Sequence, residues 1–93
     1  MNKKDLSWWR EKIDLVDEQI LGLLAERKKI AKGIAKAKVK NKMNIFDKNR
    51  EEKVICDRQL LAAQFGLNKE FIKSLMCLLM DYSKRAQKEV STF

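Results

Sequence analysis

Histidine and proline are absent from the 93-residue chain, glycine occurs three times and cysteine twice. Without histidine, the usual Cys/His zinc site and the Ser–His or Cys–His nucleophilic pair are excluded. The lack of proline and the scarcity of glycine remove the residues that most often interrupt helices. Leu, Ile, Ala, Lys, Glu and Arg, which favour helices, dominate the composition. We therefore expect an all-α fold in a single small domain, 1–93.

The two cysteines and the short apolar runs indicate the cellular compartment of the protein. Cys56 and Cys77 have no CxxC spacing and stand among apolar residues, so free buried thiols are expected in preference to a disulfide. Residues 1–5 contain no apolar segment of a secretion signal, and no run approaches the roughly 20 apolar residues that span a bilayer. A cytoplasmic protein without a membrane span is expected.

The charge is strongly positive, with 21 Lys and Arg against 13 Asp and Glu and a formal net charge of +8. Such an excess favours an anionic partner, namely nucleic acid, an acidic membrane surface or a small acidic substrate. The acidic residues are interspersed with the basic ones, which is typical of a solvated globular surface carrying a local cationic site. Nucleic acid stays open at this point.

Apolar periodicity predicts three helices, at about 7–41, 48–65 and 69–90. Ser7, Asp47 and Asn68 are suitable N-caps, and Gly66 is placed to end the second helix. The first helix carries a heptad seam with the following apolar members: Trp9, Ile13, Val16, Ile20, Leu23, Ile30, Ile34 and Ala37. A helix of about 50 Å cannot be covered along its length by two shorter ones. Its exposed seam would be a sticky apolar stripe, so an intertwined homodimer is expected.

Polar residues interrupt these apolar seams. Arg27 falls on the seam of the first helix, and Lys38 lies 11 residues further on nearly the same face, with Ala31 and Ala35 between them. Two cations flanking a space lined by alanines form either an anion site or, equally, one half of an interhelical salt bridge.

The other two helices carry similar signals. The stripe of the third helix continues onto Ser83 and Gln87, which indicates either hydrogen-bonding groups for a ligand or a frayed helix end. Asp47, Arg50 and Glu51 open the second helix, where Asp47 is at least as well explained as a cap.

Five segments taken together, in order and spacing, resemble the all-α class of chorismate mutases over nearly the whole chain. They are Trp9-Arg10-Glu11-Lys12-Ile13-Asp14, Leu24-Ala25-Glu26-Arg27-Lys28, Lys36-Ala37-Lys38, Asp47-Lys48-Asn49-Arg50-Glu51 and Ser83-x-x-x-Gln87. The resemblance implies one long helix, two shorter ones and two intertwined chains. It also implies conversion of chorismate to prephenate without a cofactor or metal, in phenylalanine and tyrosine biosynthesis.

The resemblance further implies residue roles. Arg27 and Arg10 would bind the two carboxylates, and Lys38 and Gln87 would donate to the ether oxygen. Glu51 and the backbone at Asp47 would hold the ring hydroxyl, with Ser83 and Arg50 in the pocket wall. Arg10 and Arg27 are 17 residues apart on one helix, or about 26 Å. If both bind one ligand, Arg10 must come from the other chain.

Three other functions remain as alternatives. An isochorismate–pyruvate lyase has a similar scaffold, although such relatives generally lack the glutamate found here as Glu51. A nucleic-acid binder is suggested by the basic charge alone, without a basic helix face interleaved with aromatic residues. A non-catalytic regulatory module is disfavoured because every pocket position carries a functional residue type.

Overall fold

The computed structural model describes residues 4–91, and three α-helices account for most of that range. These are α1 (Leu6–Lys40), α2 (Lys48–Gln64) and α3 (Lys69–Ser91). The all-α class is confirmed, and the predicted helix bounds differ from the observed ones by at most one residue at any end. Residues 1–3, part of the segment expected to lack a secretion signal, lie outside the described residues. Within the described chain, no helix combines the length and apolar character needed to cross a membrane.

The first helix begins earlier than its sequence suggested. The side chain of Asp5 accepts a hydrogen bond of 3.0 Å from the backbone N–H of Trp8, which makes Asp5 the N-cap. Ser7 lies inside the first turn, so the prediction that it caps the helix is wrong. A carboxylate both accepts this bond and interacts favourably with the positive end of the helix dipole.

The junctions around α2 follow the predicted capping chemistry. Asp47 accepts from the backbone N–H of Arg50 at 3.0 Å, and Asn68 accepts from that of Phe71 at 2.9 Å. Gly66 has a φ of +70°, the left-handed conformation that glycine adopts without strain at a helix C-terminus. The three assignments are confirmed, and Gly66 and Asn68 define the short turn that folds α3 back along α2.

The core lies where α3 packs against α2 and against the C-terminal half of α1. Its buried cluster consists of Val54, Ala62, Ile72 and Met76, with Ile55, Leu79 and Met80 packed against it. Ala31 and Ala35 of α1 and Ala86 of α3 are also buried. Small side chains at these positions allow close approach of the two helices while leaving space beside them.

Both cysteines are exposed and free. The expectation of free thiols is confirmed, but the expectation of burial is wrong for this chain. Cys77 follows the buried Met76 and is therefore turned about 100° away from it around the helix. Apolar neighbours in sequence do not place a helical residue on the buried face.

The N-terminal half of α1 extends well beyond the other helices. The chain measures 62 × 27 × 15 Å with a radius of gyration of 17.3 Å, whereas a compact domain near this size has about 13 Å. Along the extension the seam residues Trp9, Ile13, Val16, Ile20 and Leu23 are each about half or more exposed. The exposure continues into the C-terminal half of α1, where Ile30 and Ile34 are 56% and 45% exposed. A single chain therefore leaves the apolar members of the whole heptad seam in contact with solvent.

Candidate active site

A pocket of about 360 Å³ opens between α1, the start of α2 and the C-terminal half of α3. Seven of the eight residues proposed from the sequence line it: Arg27, Lys38, Asp47, Arg50, Glu51, Ser83 and Gln87. The eighth, Arg10, lies elsewhere on α1. Residues separated by as many as 60 positions in the chain are thus brought to one cavity.

Arg27 of α1 is held in place by two hydrogen bonds to α3. Its Nη1 donates to the carbonyl of Leu79 at 3.2 Å and to the hydroxyl of Ser83 at 2.5 Å. Within the described residues of this one chain, Arg27 forms no ion pair with a carboxylate of α2 or α3. These two bonds fix the guanidinium while its other N–H groups remain available to a ligand.

The electrostatics around Arg27 favour an anion. Burial and, secondarily, the nearby Arg58 lower the pKa of Arg27, but a guanidinium stays protonated in proteins. A partly buried cation facing a second cation is destabilising unless a negative charge compensates. The two cations therefore favour an anionic ligand at this end of the pocket.

Lys38 stands at the other end of the pocket, in the last turn of α1. Its Nζ donates to the backbone carbonyl of Ile45 at 2.7 Å. This bond uses one of the three ammonium donors and directs the long side chain, leaving two donors for a ligand.

Gln87 is buried, with 8% of its surface exposed, and its Oε1 has no hydrogen-bond partner among the described residues. The alternative of a frayed, solvated helix end is therefore wrong for this residue. A buried polar atom without a partner is rare in folded proteins, which marks Gln87 as a candidate for a functional role. A glutamine amide carries both an acceptor oxygen and an NH₂ donor, so either group can face the pocket.

The start of α2 contributes acidic groups that are already engaged. The carboxylate of Asp47 accepts from the backbone of Arg50, so its capping role is present. Glu51 Oε1 lies 3.0 Å from Lys84 Nζ. This hydrogen bond is the main reason that the pKa of Lys84 is raised.

Two cations of the pocket, Arg58 and Lys84, were missed from the sequence. Arg58 follows Glu51 by seven residues, two helical turns, and that spacing was a usable signal. Lys84 has no such signal, since its position depends on how α3 packs against α2. With these two included, five cations and two carboxylates line the cavity. Such a surplus of positive charge suits a small dianion.

Arg10 lines a separate apolar surface on the extended half of α1, beside Trp9, Ile13 and Val16. At about 26 Å along the helix from Arg27, it cannot reach the pocket of its own chain. The geometry of one chain thus assembles the whole predicted site except Arg10.

Comparisons with known proteins agree with this arrangement. A family model described as chorismate mutase type II matches residues 9–88. The chorismate mutase of Methanocaldococcus jannaschii is 35% identical over 81 residues, covering 86% of this chain and 81% of that protein. A bifunctional chorismate mutase/prephenate dehydratase of Buchnera aphidicola subsp. Schizaphis graminum is 35% identical over 89 residues, covering 96% of this chain.

Those bifunctional relatives are much longer than this chain. It spans 24%, 21% and 23% of the three Buchnera proteins that it matches, and 20% of a bifunctional Escherichia coli protein at 33% identity. The match to the family model nevertheless runs across all three helices and every residue of the pocket. The chain therefore belongs to the chorismate mutase type II family.

Proposed function

We propose that the protein catalyses the rearrangement of chorismate to prephenate. The observation that carries the proposal is the convergence of Arg27, Lys38 and Gln87 on one cationic pocket in a chain of this family. The substrate is a small dianion, which matches the surplus of positive charge. The reaction is unimolecular, so the residues need only bind, orient and stabilise charge.

Orientation is the first contribution. Arg27 binds one substrate carboxylate through the N–H groups that are not held by Leu79 and Ser83. A second arginine on the other carboxylate confines the flexible side chain over the ring in its reactive conformer. Bidentate, charge-assisted hydrogen bonds between arginine and carboxylate hold the reacting atoms close together in the correct orientation.

Charge stabilisation is the second contribution. Lys38 and Gln87 donate to the ether oxygen, on which negative charge grows as the C–O bond stretches. The bond from Lys38 to Ile45 holds the ammonium in place before the substrate arrives, and donors that need not reorganise are the effective ones. Glu51 and the backbone at Asp47 hold the ring hydroxyl, while Arg50 and Ser83 complete the wall.

The enzyme works as a homodimer in which Arg10 comes from the partner chain. The exposed seam of α1 supports this, because a second copy of the same helix is complementary to it. The distance between Arg10 and Arg27 supports it independently. Sedimentation equilibrium is expected to give a dimer at assay concentrations. A fully active monomer would contradict the shared site.

The direct test of the activity is to incubate the purified protein with chorismate, follow substrate loss optically and identify the product by chromatography. Prephenate is the expected product. If chorismate is inert while isochorismate releases pyruvate, the pocket belongs to a lyase. If both compounds are inert and the protein retards nucleic acid at physiological salt, the catalytic assignment is wrong. The cytoplasmic location stays a prediction.

Gln87 sets the expected pH dependence. Its amide is neutral at every working pH, so activity is expected without an acid optimum. In Gln87→Glu the buried carboxyl donates only when protonated, and burial raises the pKa of a carboxyl group. The variant should therefore gain rate as the pH falls through that pKa, whereas the parent should not. The pH profiles of kcat/KM check this, and a steep rise of the parent's rate below about pH 6, where a carboxyl with a raised pKa titrates, would contradict it.

A further inference from the structure

Lys84 connects three parts of the pocket wall. From α3 its Nζ lies 3.0 Å from Oε1 of Glu51 on α2 and 3.6 Å from Oδ1 of Asp81. It also lies 5.6 Å from the ring centroid of Phe46, in the segment before α2. The side chains of Lys84 and Glu51 are each 28% exposed, whereas that of Asp81 is 65% exposed. The contact with Glu51 is thus the more sheltered one.

This contact divides the two oxygens of Glu51 between different tasks. Oε1 is occupied by the ammonium, which leaves Oε2 to accept a hydrogen bond from a ligand. A free glutamate has three side-chain torsions and samples many positions, and an acceptor that wanders binds a hydroxyl poorly. Both residues line the same cavity, so the fixed carboxylate stands at the pocket surface.

We propose that Lys84 is a positioning residue, which holds the carboxylate of Glu51 so that its second oxygen accepts the ring hydroxyl of the substrate. The inference rests on the proposed function, because the hydroxyl belongs to chorismate. Lys84 itself acts through Glu51 and does not touch the reacting atoms. It distinguishes ligands with a hydroxyl at this ring position from those without one.

The competing explanation is that Lys84 merely strengthens the packing of α3 on α2. The two roles differ in what they make sensitive to the loss of Lys84. A packing role affects every substrate alike, whereas a positioning role affects only substrates that use Glu51. A substrate analogue lacking the ring hydroxyl separates them.

The experiment compares Lys84→Met with Lys73→Met, a control of equal charge change on an exposed part of the same helix. For chorismate, Lys84→Met should lower kcat/KM by about tenfold, below the 10²-fold that a full 1 Å misplacement costs. Lys73→Met should leave kcat/KM within about twofold, as is usual for surface changes. Lys84→Arg should recover part of the loss, because a guanidinium also binds a carboxylate.

Two readouts decide between the roles. The parent and Lys84→Met should process the hydroxyl-free analogue equally, and Lys84→Met should add little in a Glu51→Gln background. The ratio of kcat/KM for chorismate to that for the analogue is taken on one sample, so it is independent of the folded fraction. If this ratio is the same as the parent's in both Lys84→Met and Lys84→Gln, the role of Lys84 is overturned while the proposed function stands. A parent protein inert toward chorismate would overturn the proposed function and this inference with it.

Discussion

Arg27→Ala is expected to lower kcat/KM for chorismate by roughly 10²–10³-fold, the range for truncating one partner of a buried, hydrogen-bonded charge pair. The arginine binds the ligand carboxylate at a point where α3 already holds its guanidinium through Leu79 and Ser83. Alanine removes both the charge and the fixed donors. Arg27→Lys should lie between, since it keeps the charge but loses the planar fork.

The effect on folding should be small by comparison. Losing the two hydrogen bonds costs about 1 kcal/mol each, but removing a partly buried cation relieves its desolvation and its repulsion by Arg58. Denaturant unfolding of Arg27→Ala should therefore show a much smaller change than the kinetics. Arg85→Ala, an equal charge loss at an exposed position of α3, is the control and should stay active. Loss of activity in step with stability would place Arg27 in the scaffold only.

Lys38→Ala is expected to lower kcat by about 10²–10³-fold, the usual cost of removing one preorganised donor to a developing negative charge. The ammonium is held by the carbonyl of Ile45. In the parent enzyme it therefore need not be repositioned during the reaction, and no free energy of reorganisation is added to the barrier. Because the charge on the ether oxygen is largest in the transition state, kcat should fall more than KM rises.

The matched control for Lys38 is Lys40→Ala. Both lysines lie in the last turn of α1, so both changes remove a cation that interacts with the helix C-terminus, worth about 0.3–1 kcal/mol. Only Lys38 lines the pocket. Steady-state kinetics of the two variants should therefore diverge widely at similar stability. A Lys38→Ala enzyme that keeps more than half of its kcat/KM would rule out this role.

Local chemistry made most of the fold predictable. The heptad seam predicted α1, and the capping chemistry of Asp47 and Asn68 located the starts of α2 and α3. The first cap was misplaced because Asp5 and Ser7 are both good caps and only the backbone chooses between them. The prediction that Cys77 is buried was wrong for a different reason. Its apolar neighbours in sequence lie on the same helix but not on the same face.

The site was predictable to the extent that its residues break a pattern. Arg27 on an apolar seam and Gln87 at the end of an apolar stripe are anomalies that a sequence reveals. The sequence did not reveal the hydrogen-bond partners of Arg27. The carbonyl of Leu79 and the hydroxyl of Ser83 lie on a helix more than 50 residues away in the chain. Lys84 breaks no pattern at all. Its ion-pair partner on α2, Glu51, becomes evident only when the two helices are packed together.

The most direct test of the shared site uses Arg10→Ala and Arg27→Ala together. Each variant alone should be nearly inactive, because every site in its homodimer lacks one arginine. After the two are mixed, unfolded and refolded, heterodimers contain one intact site and one doubly altered site. Random pairing then predicts recovery of about a quarter of the parent activity. Recovery at that level would establish that one substrate is bound by two chains, and a mixture no more active than its components would contradict it.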